Sequence, residues 1–262
     1  LLDVNSCPTV FAWNGRKFEF ITDTLSAGIL GELVAPNRYW QPDSDEWLRI
    51  TGRQLEPDAN GALNLRFVNS LEEVTYLDQV KLLAVDHPAS VEVYPDERMV
   101  NTSKNRRPVQ LLAVRGSHPV SHASDQDGHD VTQLLARADR RYFDDFSLVP
   151  FKGFAESWSL TLDLGLPEHI LNPVLLIESW SYWNSSAAII AAAQAGQSLW
   201  GPILEVCSRE GQWRSGSADL GASAGLPRTV VADLSRVLKP GENIVRIRSN
   251  RMLYYDQVQL AE

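Results

Sequence analysis

The sequence predicts an all-β protein in which two β-sandwich halves follow one another along the chain. Apolar and polar residues alternate over short runs, such as residues 158–164 and 244–248. Turn residues, mainly Gly, Pro, Asn and Asp, separate these runs at close intervals, and one strand pattern occurs twice. Short alternating runs with frequent turns and little helix are typical of sandwiches and barrels.

The repeated pattern indicates that the two halves are related. Residues 76–82 read YLDQVKL, and residues 254–260 read YYDQVQL. Before each copy come a strand-like run, a proline turn and a second run, over residues 50–67 and 231–248. We therefore expect two halves of the jelly-roll or galactose-binding-like kind. Residues 47–85 and 228–262 should then superpose, with Asp78 lying on Asp256.

Each copy carries a carboxylate on its expected core face. Because side chains alternate between the two faces of a strand, Asp256 should share a face with Tyr254, Val258 and Leu260, and Asp78 with the matching residues of the first copy. A buried carboxylate needs hydrogen-bond donors or a cation. We predict that backbone N–H groups of a neighbouring loop bind each one. The alternative is a structural Ca²⁺ ion, which would need more oxygen ligands than the adjoining residues supply.

Turn and cap signals divide the chain into three parts. Residues 1–95 are predicted to form β-sandwich I, which starts with a hairpin around Asn14-Gly15, a dipeptide that tolerates positive φ. Residues 96–149 read as a connecting segment with a short helix from Asp130 to Tyr142, where Asp130 and Gln133 resemble a capping box. Residues 150–262 are predicted to form β-sandwich II, with a short Ala-rich helix capped by Ser185 or Ser186.

Composition narrows the classes of partner. The formal net charge is −9, which argues against a nucleic-acid partner because such proteins usually carry a basic patch. No apolar run reaches the length of about 20 residues that a membrane-spanning helix needs. Cys7 and Cys207 lack the C-x-x-C spacing of a thiolate zinc site. The first residue, Leu1 rather than Met, leads us to expect a processed protein or a fragment of a longer one.

Known catalytic and metal-binding motifs do not occur in the sequence. There is no G-x-S-x-G, H-E-x-x-H, P-loop or dinucleotide fingerprint. Aligning Gly128 with the glycine of a calcium loop puts Ala123 and Leu134 at ligand positions, and neither side chain can bind calcium. His118, His122 and His129 could still gather a transition metal, but Pro119 opposes a regular helix that would present the first two together. We therefore predict no catalytic residues and no metal site, although a carboxylate pair assembled by the fold stays open.

Several stretches resemble the C-terminal region of bacterial ASPIC/UnbV proteins, which are relatives of the cartilage acidic protein and carry FG-GAP propeller repeats. The matching stretches are residues 7–11, 13–15, 18–20, 22–23, 76–80, 84–88, 130–132, 229–231 and 255–258, together with Asp139 and Tyr142. The resemblance implies an extracytoplasmic accessory region with no assigned catalysis. The chain lacks the Asp-rich loops of the propeller repeats, so their calcium binding is not expected here.

The strand pattern at residues 174–183 supplies the strongest binding candidate. Because alternate residues of a strand share a face, Glu178, Trp180 and Tyr182 are predicted to lie on one face. The more aliphatic other face, with Leu175 and Ile177, should face the core. The first face would then be the outer face of a sandwich, where Trp and Tyr beside an acid suit sugar stacking. Alternatively, the same rings cover the contact with the first half, which we favour because paired domains commonly hide such patches.

These observations lead us to expect a non-enzymatic extracytoplasmic interaction module that belongs to a larger protein or assembly and binds a partner protein or a glycan. This hypothesis predicts an exposed apolar patch. The first alternative, a carbohydrate-binding module, predicts an open groove with Trp180 exposed. The second, a glycan-active enzyme, predicts a pocket with two carboxylates of perturbed pKa.

Overall fold

The computed structural model describes residues 8–24, 33–39, 47–69, 77–99, 111–166, 170–217, 220–223 and 225–262. The all-β fold class is confirmed, since strands and one short helix make up the regular structure of these residues. In chain order the elements are β1 (Thr9–Trp13), β2 (Phe18–Asp23), β3 (Leu33–Ala35), β4 (Arg38–Tyr39), β5 (Leu65–Val68), β6 (Glu92–Pro95), β7 (Leu111–Val114), β8 (His118–Pro119), β9 (His122–Ser124), β10 (Phe154–Asp163), β11 (Val174–Ser181), α1 (Ser186–Gln194), β12 (Ile203–Cys207), β13 (Trp213–Ser217), β14 (Arg228–Asp233), β15 (Ile244–Arg251) and β16 (Leu253–Ala261).

Two antiparallel sheets build the sandwich. A five-stranded sheet has the order β13-β12-β15-β10-β9, and a four-stranded sheet has the order β14-β11-β16-β8. On β15, Val245 and Ile247 are buried, while Arg246 and Arg248, which alternate with them, are partly exposed, as the alternation of a strand requires. The main core lies between the sheets and includes Trp158, Leu160, Leu162, Leu175, Ile177, Leu204, Val206, Val245, Ile247, Tyr255, Val258 and Leu260.

A small hairpin covers part of the outer face of the four-stranded sheet. The strands β6 and β7 pair with each other in antiparallel fashion. Their residues Tyr94 and Val114 form a second apolar cluster with Val174 and Leu176 of β11. The first half of β11 is therefore buried on both faces, which explains its continuous apolar run.

The sandwich begins earlier than the predicted boundary at residue 150. The strands β8 and β9, from the predicted connecting segment, form an edge of each sheet by pairing with β16 and β10. They are two and three residues long, too short to show a period in the sequence.

The predicted helix between residues 130 and 142 is wrong, because this stretch consists of turns and bends. The side chain of Asp130 accepts the N–H of Thr132 at 2.8 Å, and the Thr132 hydroxyl in turn accepts the N–H of Ala123 at 2.9 Å. Such local side-chain bonds give the backbone an alternative to the helix.

The predicted repeat is also wrong within the described residues. The late copy, residues 228–262, forms β14, β15 and β16. In the early copy and just after it, residues 47–50 and 77–90 form no strand. In the first part of the chain, β2, β1 and β5 form a three-stranded sheet. The hairpin predicted at Asn14-Gly15 is confirmed, since β1 pairs with β2 and Gly15 has a φ of 85°.

The helix α1 and an ion pair complete the structure. The Ser185 side chain accepts the N–H of Ala188 at 3.2 Å, which confirms a serine N-cap. This nine-residue helix packs against Phe154 at the start of β10. The described residues contain no helix that is long and apolar enough for a membrane span. Arg228 of β14 binds Asp23 at 2.8 Å in a buried ion pair, which joins the three-stranded sheet to the sandwich.

Candidate functional site

A β-bulge at Asp256 determines which side chains reach the outer face of the four-stranded sheet. Glu178 of β11 pairs with Gln257, but the next residue, Ser179, pairs with Tyr255. Asp256 is thus the extra residue of the bulge, and side chains before it change faces. Tyr255 lies in the core, and Tyr254 lies on the outer face. The prediction that Tyr254 shares the core face was wrong, because the extra residue of a bulge interrupts the regular alternation of side chains between the two faces of a strand.

The Asp256 carboxylate binds the turn between Asp139 and Arg140. Its Oδ1 accepts the backbone N–H of Asp139 at 3.1 Å and that of Arg140 at 2.9 Å, and Oδ2 accepts the latter at 3.1 Å. The residue is 5% exposed. Burial raises the pKa of Asp256, while these backbone N–H bonds act to lower it. Backbone donors from a neighbouring loop are the partners that the sequence predicted for this carboxylate.

Asp78 has a different position from the one predicted. It is exposed and lies on no strand, so it is not a buried structural carboxylate. The described residues of the early copy, 77–85, have neither the two neighbouring strands nor the core that fix Asp256 in the late copy. The sequence pattern alone could not show this difference, because burial depends on what packs against a strand.

Trp180 lies at the centre of an aromatic cluster on the outer face. Its ring stacks on Tyr254 with centroids 4.1 Å apart and 6° between the planes. Tyr142 packs edge-on against both rings, at 6.0 Å from Trp180 and 6.4 Å from Tyr254, and Phe146 meets Tyr254 at 5.3 Å. All four residues are half-buried. Trp180 is thus on the predicted face, but the chain itself supplies much of its cover.

Two half-buried carboxylates lie on the same side of the sandwich. Glu178 accepts the hydroxyl of Thr229 at 3.0 Å, and Glu97 accepts the N–H of Arg49 at 2.7 Å. Burial raises the pKa of both carboxyl groups, and the charge of Glu178 raises the pKa of Glu97 further. Arg49 opposes both shifts. Arg49 and Glu97 both precede the strands of the sandwich in the sequence, so the N-terminal segments contribute to the surroundings of Glu178.

Tyr182 lies beyond the end of β11 and does not join the aromatic stack. The Lys152 ammonium lies 5.2 Å from its ring centroid. Tyr182 also lines a small surface recess with Gly153, Asn184 and Met252. The recess is far smaller than the pockets that usually hold small molecules. The three predicted ligand-binding residues therefore divide between two places, and their role in binding stays a prediction.

The histidines of residues 118–130 engage separate partners. His129 contacts the Asp125 carboxylate at 2.8 Å, and His122 lies 3.1 Å from the Thr132 hydroxyl. Across the described part of the chain, no group of three or more His, Cys, Asp or Glu side chains has the arrangement of a metal site.

Residues 77–85 form an exposed apolar segment. Leu77, Val80, Leu82, Leu83 and Val85 are each 45–54% exposed. The described residues offer this segment no strand partner. A protein rarely leaves several neighbouring large apolar side chains in water unless they bind something. We call residues 77–85 the exposed segment below.

Sequence reasoning missed the partners of Trp180. The sequence pattern places Tyr142 at the end of a predicted helix and Tyr254 on the predicted core face. The available signal was the tyrosine pair at 254–255, which offers a ring to each face of one strand.

Comparisons with protein-family models, with curated proteins and with solved structures found no match. The resemblance to ASPIC/UnbV proteins therefore stays a prediction.

Proposed function

We propose that this chain is a non-enzymatic interaction module that binds a partner protein through the exposed segment. The observation that carries the proposal is the exposure of five large apolar side chains on nine consecutive residues. Each is already about half covered, so burying the rest would contribute about 0.7–1.5 kcal/mol per side chain, and a partner that covers all five gains several kcal/mol.

The backbone of the exposed segment points to the kind of partner. Among the described residues, no backbone group of residues 77–87 forms a ladder or a turn bond. Unpaired N–H and C=O groups are a template for another strand once the segment that carries them becomes extended. One occupant, the open edge of a partner's β-sheet, satisfies both the backbone groups and the apolar side chains.

The sequence of the segment suits such a strand. Residues 76–82 share five of seven residues with 254–260, which form a strand with neighbours on both sides. In an extended conformation, Val80 and Leu82 lie on one face, and Leu83 and Val85 lie on the other. Apolar residues on both faces are typical of a strand that is covered on both sides. The extracytoplasmic location implied by the resemblance belongs to the same proposal.

Hydrogen exchange of the isolated chain tests the first requirement. We expect the amides of residues 77–87 to exchange at rates close to those of an unstructured peptide, while those of β11 and β16 are protected. Protection of the segment in the isolated, monomeric chain would show that its backbone is already paired, and the proposal would then be wrong.

Site-specific crosslinking tests the second requirement. A photoreactive amino acid at Leu83, in extracts of the source cells, should give one crosslinked protein, with the crosslink mapping to an edge strand of that protein. The double change Val80→Asp with Leu82→Asp should reduce the yield by about tenfold or more, since charges oppose apolar burial. Leu171, which is 79% exposed, supplies the matched control for both the crosslinker and the Leu→Asp change. Equal yields from both positions, or crosslinks only to a second copy of the chain, would contradict the proposal.

A further inference from the structure

The outer face of the five-stranded sheet carries a second group of aromatic and charged side chains. Register places Glu205 of β12 opposite Arg246 of β15, and Ile203 opposite Arg248. Trp213 of β13 lies opposite Cys207 on the same face. We call the set of Trp200, Glu205, Trp213, Arg246 and Arg248 the arginine–tryptophan face. It is on the opposite side of the sandwich from the Trp180 cluster.

The two arginines share one carboxylate and each lies near one indole. Arg246 donates from Nε to Glu205 Oε2 at 2.7 Å, and its guanidinium lies 4.0 Å from the centroid of the Trp213 ring. Arg248 donates from Nη1 to Glu205 Oε1 at 3.3 Å, and lies 5.8 Å from the Trp200 centroid. Cation–π contact and the shared carboxylate hold Arg246 in one orientation.

The face retains donors and ring surface that the described residues leave unused. The side chain of Arg248 is 38% exposed and donates to the described residues only through Nη1, although a guanidinium has five N–H donors. Trp213 is 37% exposed. On β10, Ser159 and Thr161 lie opposite Arg248 and Arg246 and add hydroxyl groups.

The charge of the face indicates which ligand it suits. Two guanidinium groups and one carboxylate give the set a charge of +1, on a chain whose net charge is −9. A polyphosphate ligand such as nucleic acid would meet repulsion from most of the molecule. A protein partner would require an apolar centre, whereas this set alternates rings with charges and hydroxyls. A sugar ring with hydroxyls and one acidic group matches each of these elements.

We propose that the arginine–tryptophan face binds an acidic glycan. The sugar ring lies against the exposed indole of Trp213, since an indole gives a flat apolar surface with a polar edge. The carboxylate or sulfate of the sugar accepts N–H donors of Arg248, whose planar fork matches such groups. Glu205 holds both guanidinium groups in place. This site is independent of the partner protein proposed for the exposed segment.

Calorimetric titration with defined oligosaccharides tests this proposal. The probes are cellotetraose that carries one terminal uronic acid as the carboxylate ligand, cellotetraose that carries one sulfate as the sulfate ligand, and unmodified cellotetraose as the neutral glycan. We expect binding of at least one acidic probe and an affinity for cellotetraose lower by about tenfold or more, because the neutral probe lacks the charge-assisted bonds to arginine. Whether the uronate or the sulfate probe binds more tightly distinguishes the two anion sources.

Matched variants assign the binding to the face. Trp213→Ala and Arg248→Ala should each lower the affinity for the acidic probe by about tenfold. Arg248→Lys should lose less affinity than Arg248→Ala but bind more weakly than the wild type, because lysine keeps the charge and lacks the planar fork of the guanidinium group. Tyr39→Ala and Arg53→Ala change exposed residues elsewhere and should leave the affinity unchanged. Failure of both acidic probes to bind, equal affinity for cellotetraose, or equal losses in the control variants would overturn the proposal.

Discussion

The Asp256 carboxylate accepts the backbone N–H of Arg140 with both oxygens, at 2.9 and 3.1 Å, and Arg140 has a φ of 67°. The left-handed backbone costs a residue such as Arg about 1–2 kcal/mol. The bulge on β16 therefore fixes a strained turn in the segment that joins β9 to β10. That turn leads directly to Tyr142, so the bond also positions the aromatic ring that covers Trp180.

Asp256→Ala should destabilise the protein by about 1–3 kcal/mol, because the part-buried backbone N–H donors of Asp139 and Arg140 lose their acceptor. Asp256→Asn should cost less, since the amide retains one oxygen. Asp78→Ala is the matched control: it occupies the same place in the sequence pattern but is exposed, so its thermal unfolding should equal that of the wild type. Equal melting of both alanine variants would contradict the described role of Asp256.

The stack of Trp180 on Tyr254 should be measurable as a coupling energy. A double-mutant cycle with Trp180→Ala and Tyr254→Ala should give an interaction of about 0.5–1.5 kcal/mol, as expected for an aromatic pair beyond its burial. The cycle of Trp213→Ala with Tyr254→Ala supplies the control, because those residues lie on opposite sides of the sandwich. Additive effects for Trp180 and Tyr254 in chemical denaturation would show that the rings do not stack in solution.

Glu178 should make stability depend on pH. Burial raises its pKa in the folded state, so the folded protein binds the proton more tightly than the unfolded chain does. Stability should therefore fall as the pH rises from the unfolded pKa to the raised folded pKa. Glu178→Gln keeps an acceptor for Thr229 and should melt at a higher temperature than the wild type at pH 7. Below pH 4 the two proteins should melt at similar temperatures, because the Glu178 carboxyl group is then protonated and as neutral as the Gln amide; the usual Glu pKa is about 4.3.

Glu156 provides the control for this pH dependence because it is exposed. Glu156→Gln should follow the wild-type melting curve at every pH. A Glu178→Gln variant that melts below the wild type at neutral pH would show that attraction between Glu178 and Arg49 outweighs the cost of burial.

Gly153 should be intolerant of a side chain. A Cβ there would lie 2.7 Å from the backbone nitrogen of Asn184, and the φ of 83° is left-handed. We expect Gly153→Ala to cost about 2–5 kcal/mol, the sum of the left-handed penalty and overpacking. Gly196 has a φ of 75° but open space around it, so Gly196→Ala isolates the backbone penalty. If Gly153→Ala and Gly196→Ala lowered the melting temperature by the same amount, the contact between residue 153 and Asn184 would relax easily.

Local chemistry in the sequence predicted a large part of the sandwich. Alternation predicted β10, β11, β15 and most of β16, and the serine cap predicted α1. These elements depend on side-chain period and on short-range bonds, both of which are visible in a single sequence. The acceptor role of Asp256 also follows from the cost of burying a carboxylate.

Tertiary structure alone decided three other features. The bulge at Asp256 moved Tyr254 to the outer face beside Trp180, and no residue type marks a bulge reliably. The short edge strands β8 and β9 exist only because β16 and β10 provide partners. The two copies of one pattern became a central strand at residues 254–260 and an exposed segment at residues 77–85. A strand is stabilised by its neighbours and by the core beneath it, so similar sequences take different structures where those neighbours differ.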